Sequence, residues 1–112
     1  GALGMSLEQI VWTIRKYGLQ ARTSTGKLQD LKTQINRGSP IIVAFDELSI
    51  QHVVVVVGYY DEKELIFYND SDDGCTIEEP YSDFIRAWSR KRANSSGFFD
   101  GSLANMMIQI SR

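Results

Sequence analysis

Five consecutive valines, Val53–Val57, follow the chain's only histidine and precede Gly58-Tyr59-Tyr60. β-Branched side chains are stiff at χ1 and pack well on a pleated surface, so residues 52–60 read as a strand. The valine run is far short of the ~20 apolar residues that cross a bilayer, and no other segment approaches that length. A second apolar run, 41–45 behind Pro40, has the character of a buried strand, and 65–68 that of a third. Only the polar stretch Tyr60-Asp61-Glu62-Lys63-Glu64 separates the last two, which is short enough for a hairpin.

Helical signals frame these strands. Ser6-Leu7-Glu8-Gln9 has the form of a capping box, with Ser6 accepting from the third helical amide while Gln9 reaches back. Leu7, Ile10, Val11, Ile14 and Tyr17 then recur on one helical face, and Gly18 is placed to end the helix. Residues 19–23 have strand length, and a second helix is expected over 27–36 with Leu28, Leu31 and Ile35 inward and Gly38 as its stop. After an Asp-rich loop, 76–78 read as a short strand and Ser82 as the cap of a helix carrying Phe84, Ile85 and Trp88. The Gly/Ser/Asn-rich stretch 92–102 reads as loop, and 103–110 as an edge strand closing the sheet. The expected fold is α+β: a mostly antiparallel sheet packed against N-terminal helices, with one helix inserted late, in one domain over residues 1–112.

Charge excludes some partners. With 12 basic and 14 acidic residues the net charge is −2, which gives no electrostatic reason to expect nucleic acid or an anionic membrane. The cluster Arg90-Lys91-Arg92 reads as a solvated helix C-terminus that complements the helix dipole. A single cysteine makes no intramolecular disulfide, so a reducing, cytoplasmic setting is the default. No signal-peptide pattern precedes the first helix.

Chemistry concentrates around His52. A strand holds its backbone on both sides and is therefore a rigid platform for an imidazole. If 53–59 pairs with 64–68 as a hairpin, positions near His52 and Asp70 meet at the same open end. An imidazole steered by a carboxylate is the base and orienter of a thiol peptidase, which also needs a thiolate and donors for the oxyanion. A structural histidine hydrogen-bonded at a sheet end is the competing reading. Cys75 lies in Asp72-Asp73-Gly74-Cys75, where neighbouring carboxylates disfavour an anionic sulfur, and it follows the orienter's loop instead of starting a helix. It reads as a loop thiol. The cluster Asn69-Asp70-Ser71-Asp72-Asp73-Gly74 places glycine sixth, as in a calcium loop, but Pro80 stands twelfth where a bidentate glutamate is required. No metal or cofactor is therefore expected. Trp12, Trp88, Phe98 and Phe99 are core or groove candidates, and the Phe98-Phe99 pair in its Gly/Ser loop is the candidate surface for a protein partner.

Several stretches carry a resemblance. Gly4-Met5-Ser6-Leu7-Glu8-Gln9-Ile10, Arg15-Lys16-Tyr17-Gly18-Leu19-Gln20-Ala21, Leu28-Gln29-Asp30-Leu31 and Gly38-Ser39-Pro40-Ile41-Ile42 lead into His52-Val53-Val54-Val55-Val56-Val57-Gly58-Tyr59 and Tyr68-Asn69-Asp70. Tyr81-Ser82-Asp83-Phe84-Ile85-Arg86-Ala87-Trp88 follows. In order and spacing this resembles the middle of the bacteriocin-processing, papain-like cysteine peptidase family, over roughly residues 4–90. The resemblance implies a papain-like fold, cleavage of peptides often after a double-glycine leader, His52 as general base and Asp70 as its orienter. Ser71 stands where the family often has proline. The resemblance also implies a nucleophilic cysteine and an oxyanion-supporting glutamine on a helix upstream of Ser6, a segment missing from this sequence. A further alternative makes 6–17 the nucleophile helix itself, with Ala2 or Met5 at a replaced cysteine position.

Three functions follow from this reading. The first is a papain-like cysteine peptidase domain acting on extended peptides. The second is an inactive, peptidase-like domain that binds a peptide or protein, as beside transporters. The third is a toxin or effector domain with an immunity partner.

Overall fold

The computed structural model describes residues 7–47, 50–70, 74–89, 92–93, 99–100 and 105–111. Its α-helices are α1 (Leu7–Lys16), α2 (Leu28–Asn36) and α3 (Tyr81–Trp88). Strands β1 (Gln20–Thr25), β2 (Ile41–Glu47), β3 (Ile50–Tyr60), β4 (Leu65–Asp70), β5 (Thr76–Pro80) and β8 (Met106–Ser111) form an antiparallel sheet in the order β1-β8-β2-β3-β4-β5. Two short strands, β6 (Arg92–Ala93) and β7 (Phe99–Asp100), pair with each other, so part of the expected loop is a hairpin. The fold is α+β and compatible with a papain-like architecture.

Both faces of the sheet are covered. On one, Ile10 of α1 packs with Ala21, Ala44, Val53 and Ile108, flanked by Val11 and Ile14. On the other, Leu31 of α2 and Phe84 and Trp88 of α3 pack over Ile41, Val43, Phe45, Val54, Val56, Ile66, Tyr68 and Met107. That two-sided burial explains why β2 and β3 are continuous apolar runs, without the alternation of a half-exposed strand. It also corrects the place of the last strand. β8 lies between β1 and β2, inside the sheet, and the edges are β1 and β5. Its consecutive residues Met107 and Ile108 are buried against opposite faces.

Local signals place most helix ends. Gly18 and Gly38 adopt φ of +83° and +77°, the left-handed turn that glycine permits, just after α1 and α2. Ser6 lies outside the described residues. Tyr17 is 79% exposed, because the turn after Lys16 carries it off the α1 face. Ser82 lies within α3, whose N-cap is Pro80; a proline lacks the N–H that the helix start leaves unpaired. Ile85 points outward while Phe84 and Trp88 are buried.

A bulge in β3 sets the far end of the sheet. Val56 pairs with Tyr68 but Gly58 with Phe67, so Val57 is the extra residue. The slip brings Tyr59 opposite Ile66, onto the α2 side. There Lys32 of α2 sits 5.4 Å from the Tyr59 ring centre and 4.7 Å from that of Tyr81, and its ammonium pairs with Asp61. The Tyr81 hydroxyl donates to the same Asp61 oxygen at 2.6 Å. The Tyr81 N–H donates to the Glu64 carbonyl at 2.8 Å. One cation thus joins α2, the 3-10 turn Asp61–Lys63 and the start of α3.

Two consequences are measurable. Phe84→Ala should cost about 3–5 kcal/mol in urea unfolding, since the ring is fully buried against Phe45, Tyr68 and Trp88. The clamp should also show in a pH series of thermal unfolding. The Lys32 hydrogen bond, then that from Tyr81, holds Asp61 below its ordinary 3.8, so its contribution is present above that value and is lost as pH falls. Burial, then the bond to Asp61, raises Tyr81 above its ordinary 10.0, so its contribution is complete below that value and is lost as pH rises beyond it. Tyr81→Phe should flatten the alkaline limb of the melting profile and leave the neutral plateau shaped as before.

Candidate functional site

His52 lies on β3 with Phe45 as its α-carbon partner, and Asp70 ends β4 opposite Val54. Positions 52 and 54 are one pleat repeat apart, so 52 and 70 form a cross-strand diagonal, about 7–8 Å between α-carbons. The side chain of His52 lies outside the described residues, as do Ser71, Asp72 and Asp73 of the acidic loop.

The backbone around Asp70 is fixed on both sides. Its N–H donates to the Cys75 carbonyl at 3.0 Å, and its carbonyl accepts from the Gly74 N–H at 2.9 Å. Gly74 has φ +72°, which closes this turn. Both Asp70 main-chain groups therefore face β5, which makes Val54 and Asp70 a non-hydrogen-bonded pair on β3 and β4. In such pairs the side chains approach most closely. Asp70 itself is half-buried.

An aromatic wall stands beside these positions. Phe45 meets Tyr68 edge-on at 5.5 Å between ring centres and Phe84 at 5.4 Å. Phe84 in turn meets Trp88 at 5.7 Å. The Tyr68 hydroxyl donates to Glu79 at 2.6 Å. The strand partner of His52 is thus a ring held on two sides, and Tyr68 is one pleat from Asp70. Sequence reasoning missed Phe45 in this role. Counting back through the hairpin between 41–45 and 52–60 was the signal that pointed to it.

Among the described residues, the groups whose protonation is most perturbed lie elsewhere. Asp61 and Tyr81 belong to the hairpin end, six residues along β3 from Val54, or roughly 20 Å at ~3.4 Å per residue. They brace the fold and do not adjoin the 52–70 diagonal. Perturbed titration often marks an active site, but structural networks produce it as well.

The other candidates are dispersed. Cys75 is exposed and lies in the turn before β5, not on a helix. Trp12 is not core: it is 64% exposed, with the Lys16 ammonium 5.2 Å from its ring centre. Trp88 is core, and its indole N–H donates to the Met106 carbonyl at 2.8 Å. Phe98 lies outside the described residues, as does the side chain of Phe99 in β7. Arg90 and Lys91 also lie outside them, whereas Arg92 opens β6 four residues beyond α3. Among the described residues no group of three or more His, Cys, Asp or Glu side chains could hold a metal, and no helix is long and apolar enough to cross a membrane.

A histidine position and a carboxylate position thus share one end of the β3–β4 pair, beside the Phe45 and Tyr68 rings. Comparison with curated proteins gives no match. The sequence model of the Peptidase_C39-like family matches residues 2–96, which is most of the chain, and the chain belongs to that family.

Proposed function

We propose that this chain carries the base-and-orienter half of a papain-like cysteine peptidase site, with His52 as base and Asp70 as orienter. The observation that supports it most is the β3–β4 register, in which Asp70 lies one pleat from His52 across two paired strands. His52 takes the proton of a thiol and returns it to the leaving amine, and Asp70 holds the imidazole tautomer that this requires. The thiol comes from a helix preceding α1, as the family resemblance implies. An extended peptide is the substrate class, and a double-glycine leader is the first sequence to test.

A second reading is a recognition domain that binds such peptides without cutting them. Cys75, exposed in the turn before β5 and not at a helix start, is the nucleophile in neither reading.

Three measurements test these readings. In the full-length protein, His52→Ala should lower peptide cleavage by about 10²–10⁴-fold while the circular dichroism spectrum is unchanged. Equal turnover in that variant removes His52 from the role. Since His52 is the only histidine of this 112-residue chain, its imidazole nitrogen resonances are unambiguous in the chain by itself. Asp70→Asn should displace them, and nitrogens that do not respond would remove Asp70 as orienter. Calorimetry showing peptide affinity that survives alkylation, in a full-length protein that cleaves nothing, would favour the second reading.

A further inference from the structure

β1 forms one edge of the sheet, and Gly26 fixes the phase of its backbone. The Gly26 N–H donates to the Asn105 carbonyl at 3.0 Å, and the Gly26 carbonyl accepts from Asn105 Nδ2 at 3.1 Å. Both Gly26 main-chain groups thus face the β8 side. Strand alternation then turns the N–H and C=O groups of Ala21, Thr23 and Thr25 outward. Arg15 agrees with that phase, since its Nη2 donates to the Ala21 carbonyl at 3.0 Å. Thr23 and Thr25 are exposed, and among the described residues no strand lies beyond β1.

Proteins commonly guard such edges with proline, lysine or a bulge. At the other edge, β5 ends in Pro80 and passes directly into α3. β1 reads Gln-Ala-Arg-Thr-Ser-Thr, without proline or lysine, and its register with β8 has no bulge.

Charge singles out the same edge. Residues 9–29 contain Arg15, Lys16, Arg22 and Lys27 and no acidic residue. They take four of the 12 basic residues and none of the 14 acidic ones, so this segment carries +4 and the rest of the chain −6. A concavity of about 630 Å³ opens beside β1, lined by Arg15, Arg22, Gln34, Ser39, Gln109 and Ser111 among others, with no carboxylate. Arg22 pairs in register with Gln109, and Gln20 with Ser111, which makes a polar floor at that corner of the sheet. Arg15 uses one of its five N–H donors on Ala21.

We propose that the open edge of β1 takes an extended, acidic segment of another protein as an added strand. Its backbone pairs with Thr23 and Thr25, and its carboxylates reach Arg15 and Arg22. Strand addition of this kind draws affinity from main-chain bonds and selectivity from the flanking side chains. A second copy fits less well. β1 against β1 would face two basic segments, and β1 against the acidic β5 edge would be head-to-tail and open-ended. The edge is three strands from β3, roughly 14 Å at ~4.8 Å per strand, so the inference stands apart from the peptidase reading.

The test is fluorescence anisotropy of a labelled, end-blocked octapeptide alternating glutamate and threonine, titrated with the intact chain. Saturable binding is expected, weakened at least tenfold by Arg22→Gln and by Thr23→Pro, which deletes an outward N–H that the edge itself does not use. The Thr23 and Thr25 amides should exchange more slowly with the peptide present. Thr25→Pro replaces Thr23→Pro if circular dichroism shows the latter unfolded. Equal binding of the lysine-for-glutamate peptide, or full binding in a folded proline variant, overturns the proposal. So does displacement by inorganic phosphate with no change in amide exchange. Sedimentation showing self-association that the proline variant abolishes assigns the edge to a second copy and also overturns it.

Discussion

The pairing of β3 with β2 on one side and β4 on the other governs most of what this fold can do. Val54 and Val56 enter the core beneath α2 and α3, while Val53 enters the core beneath α1. Each such side chain contributes about 1.5–3 kcal/mol by leaving water, and a strand collects that on both faces only when helices cover both. β3 therefore ties the two halves of the core into one cooperative body. The position of His52 is held by its pairing with Phe45 on β2, and that of Asp70 by Val54 on one side and Cys75 on the other.

The bulge at Val57 lets one strand satisfy two unlike ends. Without an extra residue, the pleat that places Val54 and Val56 beneath α2 and α3 would turn Tyr59 to the opposite face. With it, Tyr59 comes to Ile66 and flanks Lys32. The hairpin end is thereby locked by a cation between two rings, and the other end of β3 keeps the uninterrupted phase that sets Val54 against Asp70. The bulge residue itself faces solvent, so the adjustment leaves no hole in the core.

Much of this was legible in the residues. The valine run, the apolar stretch behind Pro40 and the glycines after both early helices marked their elements because each signal is local and physical. Hairpin length made it legible that positions near 52 and 70 share one end of the β3–β4 pair, but their common face depends on the bulge at Val57. What escaped the sequence is long-range. Nothing local in 106–111 distinguishes an interior strand from an edge, because that depends on where β1 docks, 79 residues away from Asn105 at Gly26. Trp12 falls on the outward side of an amphipathic helix, where composition suggested core. The Lys32 clamp needed the bulge, and a bulge inside an unbroken valine run leaves no mark in the pattern.

The β1 edge and the β3–β4 end of the sheet present different geometries to an extended peptide. An extended chain added at β1 lies in the plane of the sheet, whereas a peptide reaching His52 and Asp70 must approach the open end of β3 and β4. Crossing from one to the other spans roughly 14 Å, about four extended residues, and a direct path over the sheet meets α2 and α3 on one face and α1 on the other. A single short segment cannot occupy both. If both proposals hold, the edge and the histidine end are separable seats on one sheet. A partner held at β1 would leave the peptidase-like end open to a second chain.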